Sequence, residues 1–367
     1  MVYIITVVST QRFRVLIKQT NRESDTVELS ERKEKILSAI IERFISTGEP
    51  VGSKFIAAAL PVAVSPATIR NEMAFLSEKG YLDQPHTSAG RIPSDKGYRY
   101  YIDRLLQSYA PSDADMFRIL SRIDHSEGDS DAVIAQGCEM LAEMTGCAAA
   151  VSSPDPEGAV IKNAQLVPVS PKSAMVLVTT TAGVLKNRIA RVEREIDYAT
   201  AELFYNTVSA NFTGIPAGAV TAARIQSVTA SLGEKALELM PLLVSFYECV
   251  RAAAESTVTV KGHSNLLETP ELRGSAPEII ELLNSEDAVK RLLQTHTDAP
   301  VELSIGTENE FTCLRGAAVI RAGYRSGNGR GGTAAVIAPT KTDYAKVIPL
   351  VKYISGVIGG VLTELSE

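Results

Sequence analysis

The sequence predicts an α+β protein: a winged helix-turn-helix unit at the N-terminus, then a β-rich domain interrupted by a mostly helical segment. Three observations predict it. Between residues 30 and 107, three helical patterns precede two short extended pieces that flank a breaker-rich loop. Strand-like pieces follow from about 148 to 192, the period turns helical over roughly 197 to 255, and strand patterns return after 300. A sheet, helix, sheet order is most simply one β-rich domain carrying an insertion.

The elements follow in order. Ser30 is a good N-cap for a first helix that carries Ile36, Leu37, Ile40, Ile41 and Phe44 on one stripe and stops at Gly48. A start at Ser53 and a stop before Pro61 leave room for about two turns. The third helix has Ser65 as N-cap, Pro66 at its first position and Gly80 as terminator. "YLDQ" and "RIPS" then read as extended pieces around "PHTSAG", and Ser94 caps a helix from about Asp95 to Gln107 with Tyr98, Tyr101, Ile102 and Leu105 as its buried stripe. The polar link "SYAPSDAD" closes this unit near Pro111.

A helical pattern from about 112 to 145 has an acidic middle, "DHSEGDSD". "AAAVS", "NAQLVPVS", "SAMVLVTTT" and "LKNRIARV" read as strands of one antiparallel sheet. The helical stretch beyond them contains the apolar stripe Leu237, Met240, Leu243, Val244 and Tyr247. After "STVTVKG", a helix is expected from about Ala276 to Gln294. "PVELSIG", "LRGAAVIRAGYR" and "GGTAAVIAPT" are strands, and a helix from about Tyr344 to Leu365 ends the chain.

Composition bounds the function classes. Apolar residues make up 45% and charged residues 22% of the chain, as in ordinary globular protein. Apolar runs such as Val2 to Val8 fall far short of the roughly 18 to 20 residues of a membrane span. The first 28 residues lack a leading basic region, and an appended extension, strand-like or disordered, is expected there in place of a secretory leader. Cys138, Cys147, Cys249 and Cys313 have neither C-x-x-C spacing nor a His partner, so reduced thiols in a cytoplasm fit better than a disulfide framework or a zinc site. Net charge is −6, unevenly spread: residues 29 to 107 hold 11 Lys/Arg and 9 Asp/Glu, whereas residues 108 to 367 hold 22 and 31. Any polyanion site therefore belongs to the N-terminal part.

On the third helix, Ile69, Met73 and Leu76 share one face, and Ala67, Arg70, Asn71 and Ala74 lie towards the other. Small residues permit close approach to a major groove, while guanidinium and amide groups match the edges of guanine and adenine. A solvated helix face would share this composition; the two strands that follow favour the DNA reading. In a winged helix the strand-loop tip reaches phosphate or the minor groove, and His86, Thr87, Ser88 and Arg91 are then phosphate donors, with Ala89-Gly90 letting the loop lie close to a sugar-phosphate wall. "SAGR" as an enzymatic phosphate loop lacks the G-K-[ST] ending. "GNGRGG" at 327 to 332 lacks it too and reads as a hairpin loop. His125, His263 and His296 are isolated, and no G-x-S-x-G elbow or triad context is present. No enzyme, metal or cofactor is expected.

The segments "VGSKFIAAAL", "VSPATIRNEMAFLSEKGYL" and "PHTSAGRIPSDKGYRYYID" resemble the heat-inducible transcription repressor HrcA family, which the run from Gly52 to Leu105 follows almost throughout. "NLLETPEL" at 265 to 272, "IGTEN" at 305 to 309 and "IAPTKTDYAKVI" at 337 to 348 extend the likeness, although Lys341-Thr342 stands where the family commonly has Arg-Met. The resemblance implies a dimeric repressor with a winged-helix DNA-binding domain (29 to 110), a GAF-like domain (111 to 193 and 295 to 367) and an inserted dimerisation domain (194 to 294). It also implies an inverted-repeat operator upstream of chaperone genes and a chaperonin that keeps the repressor active. Carried onto this sequence, Ala67, Thr68, Arg70 and Asn71 would face base edges and adjacent phosphates beside the N-cap Ser65. Lys54, His86, Thr87, Ser88 and Arg91 would hold the DNA backbone. Two alternatives stand beside this reading: a winged-helix regulator whose GAF-like domain binds a metabolite, and an enzyme with an accessory nucleic-acid domain.

Overall fold

The computed structural model describes residues 29–60, 64–86, 89–106, 110–123, 130–154, 156, 159–181, 184–295, 299–326 and 330–365. The extension at 1 to 28, Thr87, Ser88, the acidic stretch near 124 to 129 and the tip of "GNGRGG" lie outside the described residues. The protein is a mixture of α-helices and antiparallel sheets.

Helices α1 (Glu31–Thr47), α2 (Ser53–Ala59) and α3 (Pro66–Glu78) precede the strands β1 (Leu82–Asp83) and β2 (Ile92–Pro93), which pair antiparallel. The stripe of α1 is buried as its period requires, at Ile36, Leu37, Ile40 and Ile41, and Gly48 ends the helix in the left-handed conformation. Ser30 occupies the N-cap position without a side-chain cap bond. Helix α4 (Asp95–Tyr100) runs into a single π-helical stretch, Tyr101–Leu105, with the Leu106 amide donating to the Tyr101 carbonyl at 2.7 Å. Tyr98, Tyr101 and Ile102 are buried as the pattern requires, joined by Tyr100.

Beyond α5 (Asp113–Ile123) and α6 (Ser130–Thr145), strand β3 (Ala148–Ser152) enters a five-stranded antiparallel sheet. Its other members are β7 (Val258–Lys261), β8 (Glu302–Ile305), β9 (Ala317–Ser326) and β10 (Arg330–Pro339), in the order β7-β3-β10-β9-β8. Alternate residues feed the two faces. Ala149, Val151, Ile320 and Val336 pack with α6 and α13 (Tyr344–Glu364) in a core that continues into the N-terminal unit. Ala148, Ala150, Val319 and Ile337 face α11 (Ala276–Asn284) and α12 (Glu286–Leu293). By length and composition α13 is apolar enough to cross a membrane, but much of it is buried against this sheet.

A second sheet is separate. β4 (Ile161–Ser170), β5 (Ser173–Thr180) and β6 (Leu185–Arg191) form a meander whose inner face packs on α7 (Tyr198–Asn211), α8 (Ala222–Ser231) and α9 (Ala236–Ala254). The sheets thus divide the chain differently from the expected boundaries. The strands at 161 to 191 belong with the inserted helices, and 258 to 293 belong with the main sheet. Period-two alternation shows that a segment is a strand but is silent on its partners, and neighbouring strands joined by short turns pair with each other most readily. The insertion leaves and returns at one place: Ser152 pairs with Val258, and the Ser153 amide donates to the Thr257 carbonyl at 2.8 Å. The helix expected over 276 to 294 is also two, because Ser285 restarts it by accepting from the Ala288 amide. Through a short linking helix, α10 (His263–Glu268), β7 connects to α11.

Polar bonds fix the N-terminal unit to this body. Arg99 Nε donates to Glu308 Oε1 at 3.0 Å, its Nη2 donates to the Leu303 carbonyl at 2.7 Å, and the Thr307 amide donates to Asp95 Oδ2 at 3.0 Å. Tyr98 packs on Tyr344 with centroids 5.9 Å apart. Lys341 pairs with Glu271 at 2.8 Å, holding that carboxyl below its ordinary range. Truncating Arg99 leaves the largely buried Asp103 carboxyl and the Leu303 carbonyl without this donor, while Glu308 keeps, among the described residues, only the Ile305 amide. Arg99→Ala is expected to cost about 3 kcal/mol, read as a lowered urea midpoint; a midpoint equal to the parent's would show that the ion pair adds nothing.

Candidate nucleic-acid interface

Helix α3 starts where Ser65 accepts from the Thr68 amide at 3.1 Å, with the two hydroxyls 2.9 Å apart and Pro66 in the first turn. Ser65 and Thr68 are therefore cap residues first, and their hydroxyls already have partners. The cap leaves the positive end of the helix at the surface, where an anion is stabilised. Ile69, Met73 and Leu76 turn inward, while Ala67, Arg70, Asn71 and Ala74 are exposed. Among the described residues, neither Arg70 nor Lys54, exposed on α2, pairs with an acid. The face expected to read DNA is thus solvent-accessible, with its guanidinium uncommitted.

Sequence reasoning missed Glu72, which is 9% exposed on the inward side of α3. Arg32 Nε donates to its Oε1 at 3.0 Å, and Lys33 Nζ lies 3.1 Å from Oε2. These bonds hold α3 against the first turn of α1. The signal was present: Ile69, Glu72, Met73 and Leu76 follow i, i+3, i+4, i+7, and an acid inside such a stripe requires a cation nearby.

The hairpin is set by its base. Leu82 pairs with Pro93 and Asp83 with Ile92. His86 is exposed, and its carbonyl accepts from the Ala89 amide at 2.9 Å. Gly90 has a role other than the expected one. A Cβ there would lie 2.4 Å from the Val51 carbonyl oxygen, so the close approach that demands glycine is to the protein's own chain. Beside it, Val51 and Arg91 exchange two backbone hydrogen bonds of 2.9 Å. The Arg91 side chain, expected to be a free phosphate donor, is half-buried and donates from Nε to Ser77 Oγ at 2.8 Å. The structure therefore brings Arg91 to the C-terminal part of α3 and leaves Ala67, Arg70 and Asn71 open on the outward side of that helix.

Cys138, Cys147 and Cys249 are buried, and Cys313 is half-buried. Burial pushes Cys138 up to about 12 and Cys147 up to about 11, and Cys138 donates to the Ala149 and Thr259 carbonyls.

Known proteins resemble this chain over most of its length. The family model described as the HrcA protein C-terminal domain matches residues 131–348. The heat-inducible transcription repressor HrcA of Acetivibrio thermocellus is 33% identical over 329 residues, covering 89% of this chain and 94% of that protein. The same repressor of Clostridium acetobutylicum is 33% identical over 347 residues, covering 93% of this chain and all of that one. A crystal structure described as that of a hypothetical protein superposes with a TM-score of 0.64 at 23% identity, covering 92% of this chain and 100% of its own. That likeness speaks to the fold alone.

Gly90→Ala is expected to push the hairpin base off Val51 and to cost about 1 to 3 kcal/mol. A melting temperature unchanged from the parent would show that the approach is not tight.

Proposed function

This chain belongs to the HrcA family of heat-inducible transcription repressors, and on that premise we propose that it is a cytoplasmic, homodimeric winged-helix repressor. It binds an inverted-repeat operator in double-stranded DNA and is kept active by a chaperonin. The observation that carries the DNA reading is the exposed face of Ala67, Arg70 and Asn71, on a capped helix whose other face is locked into the core. A helix presenting small residues, an Arg and an Asn fits a major groove. Lys54 and His86 are exposed and able to meet phosphate, and Thr87 and Ser88 follow His86 in the sequence.

Regarding the rest of the chain, the five-stranded sheet with helices on both faces is read as the GAF-like domain, for which no ligand is proposed. Pairing is assigned to the insertion. Leu237, Met240 and Val244 lie at i, i+3 and i+7 on α9 and are 82%, 48% and 45% exposed, whereas Leu243 beside them is fully buried. Such a stripe on an otherwise well-packed helix supports an interface. Its surroundings carry both signs, Glu238 with Arg194 and Glu248 with Arg188, so two copies related by a two-fold axis can exchange partners without like charges meeting.

A footprint of the purified protein on its own chaperone promoters is expected to protect an inverted repeat, more fully with chaperonin present. Arg70→Ala is expected to weaken that site by about 1 to 3 kcal/mol and relax its sequence preference. Equal affinity of parent and variant would sink the assignment of α3, and equal occupancy with and without chaperonin would remove that partner. Met240→Glu places a charge in the apolar stripe and is expected to shift the sedimenting species from dimer to monomer; an unchanged dimer moves the interface elsewhere.

A further inference from the structure

We propose that Arg91 is a positioning residue: through Ser77 it sets the angle between the hairpin and the reading helix, and it is not simply a phosphate ligand. This rests on the reading of α3 and the hairpin as the DNA-binding surface.

The attachment of Arg91 has three points. Its amide donates to the Val51 carbonyl and its carbonyl accepts from the Val51 amide, each at 2.9 Å, so its backbone is tied to the entry of α2. Val51 is itself 3% exposed and so is a fixed anchor. The third point is the Nε bond to Ser77 Oγ at 2.8 Å, which ties the side chain to α3. One residue thus spans the hairpin and both helices of the helix-turn-helix.

Where that bond lands matters for reading. Ser77 follows Arg70 by seven residues and therefore lies on the same side of α3, about 10 Å further along the axis. A guanidinium fixed there places the base of the hairpin beside the stripe that carries Arg70 and Ala74. Gly90, pressed against Val51, removes the slack on the other side. Within the hairpin, Gln84 Nε2 donates to the Ala89 carbonyl at 3.3 Å and Ala89 donates to the His86 carbonyl at 2.9 Å, so the set of the base is passed towards the tip.

The chemistry of arginine suits two tasks at once. Nε and the Nη groups point along different edges of one rigid plane. With Nε committed to Ser77, the Nη groups have no acceptor among the described residues and stay available to a phosphate. A lysine would supply the charge without the second donor edge.

The two tasks separate experimentally. Binding is measured with the full-length protein on the inverted-repeat duplex defined by the footprint and on a scrambled duplex of the same composition, across a salt series. Ser77→Ala, a change that favours helix, is expected to lower the ratio of specific to scrambled affinity by roughly three- to tenfold with the salt slope unchanged. Arg91→Lys keeps the charge and is expected to match it. Arg91→Ala is expected to lose the same ratio and also to reduce the slope by about one. Combining Ser77→Ala with Arg91→Ala is expected to lower the ratio no further than Arg91→Ala alone. A Ser77→Ala protein with the parent's ratio, or losses that multiply in the double variant, overturns the positioning role while leaving the repressor reading intact. A parent that shows no preference for any inverted repeat overturns that reading, and this inference with it.

Discussion

The placement of the N-terminal unit on the body depends on the Arg99 guanidinium. It stands on the helix that follows the hairpin and reaches the Leu303 carbonyl and Glu308 on the turn after β8, with Asp103 one helical turn away on its own segment. Burying such a charge is costly unless its donors are all directed at acceptors. Here a backbone carbonyl and two carboxylates surround it, and burial holds the Asp103 carboxyl above its ordinary range despite the nearby cation. The requirement for several acceptors at once gives this contact an orientation as well as a strength. Apolar packing of Tyr98 on Tyr344 alone would tolerate sliding.

Much of the N-terminal unit was legible in the sequence because its signals are local. The stripe Ile36, Leu37, Ile40, Ile41, the Ser65 cap with Pro66, and the inward face of Ile69, Met73 and Leu76 each follow from a period or a cap. The outward face of the candidate site came with them, since fixing one side of a helix fixes the other. Arg91 was not legible in the same way. Its partner, Ser77, lies 14 residues earlier, and nothing in the spacing says whether a loop arginine turns out to solvent or back onto a helix. Gly90 had the same ambiguity: a glycine marks a close approach without naming what approaches. Beyond the N-terminal unit, the partition of strands between two sheets was also hidden, because an apolar strand pattern, whether alternating as in Ser173–Thr180 or continuous as in Ala148–Ser152, marks an element without naming its neighbours.

The neck of the insertion explains how a second unit can be carried without disturbing the sheet that bears it. Ser152 and Val258 are neighbours across the ladder, so about a hundred residues are spliced between two points already held at strand spacing. Closure of so long a loop costs little more than that of a short one, because the entropy grows only with the logarithm of length. The inserted unit has its own core around Phe204, Phe212 and Phe246 and is not held in place by the main sheet alone.

Charge decides what kind of reader this is. With 11 basic and 9 acidic residues between 29 and 107, and a strongly acidic remainder, the unit has little field with which to hold DNA of any sequence. Several of its cations are also spent internally: Arg32 and Lys33 on Glu72, Arg99 on Glu308, and one edge of Arg91 on Ser77. A weak non-specific term leaves discrimination to the geometry of a few side chains, and geometry is worth only what its rigidity preserves. Arg32, Lys33 and Arg91 spend their charge on the orientation of α3 and of the hairpin, and Arg99 spends its own on seating the unit against the body. With so few uncommitted cations on one unit, the proposed dimer would draw its affinity from engaging two half-sites, the second contact being made at high effective concentration. On that proposal the exposed stripe of α9 and the outward face of α3 belong together: the less each reader holds alone, the more the fold has to invest in pairing.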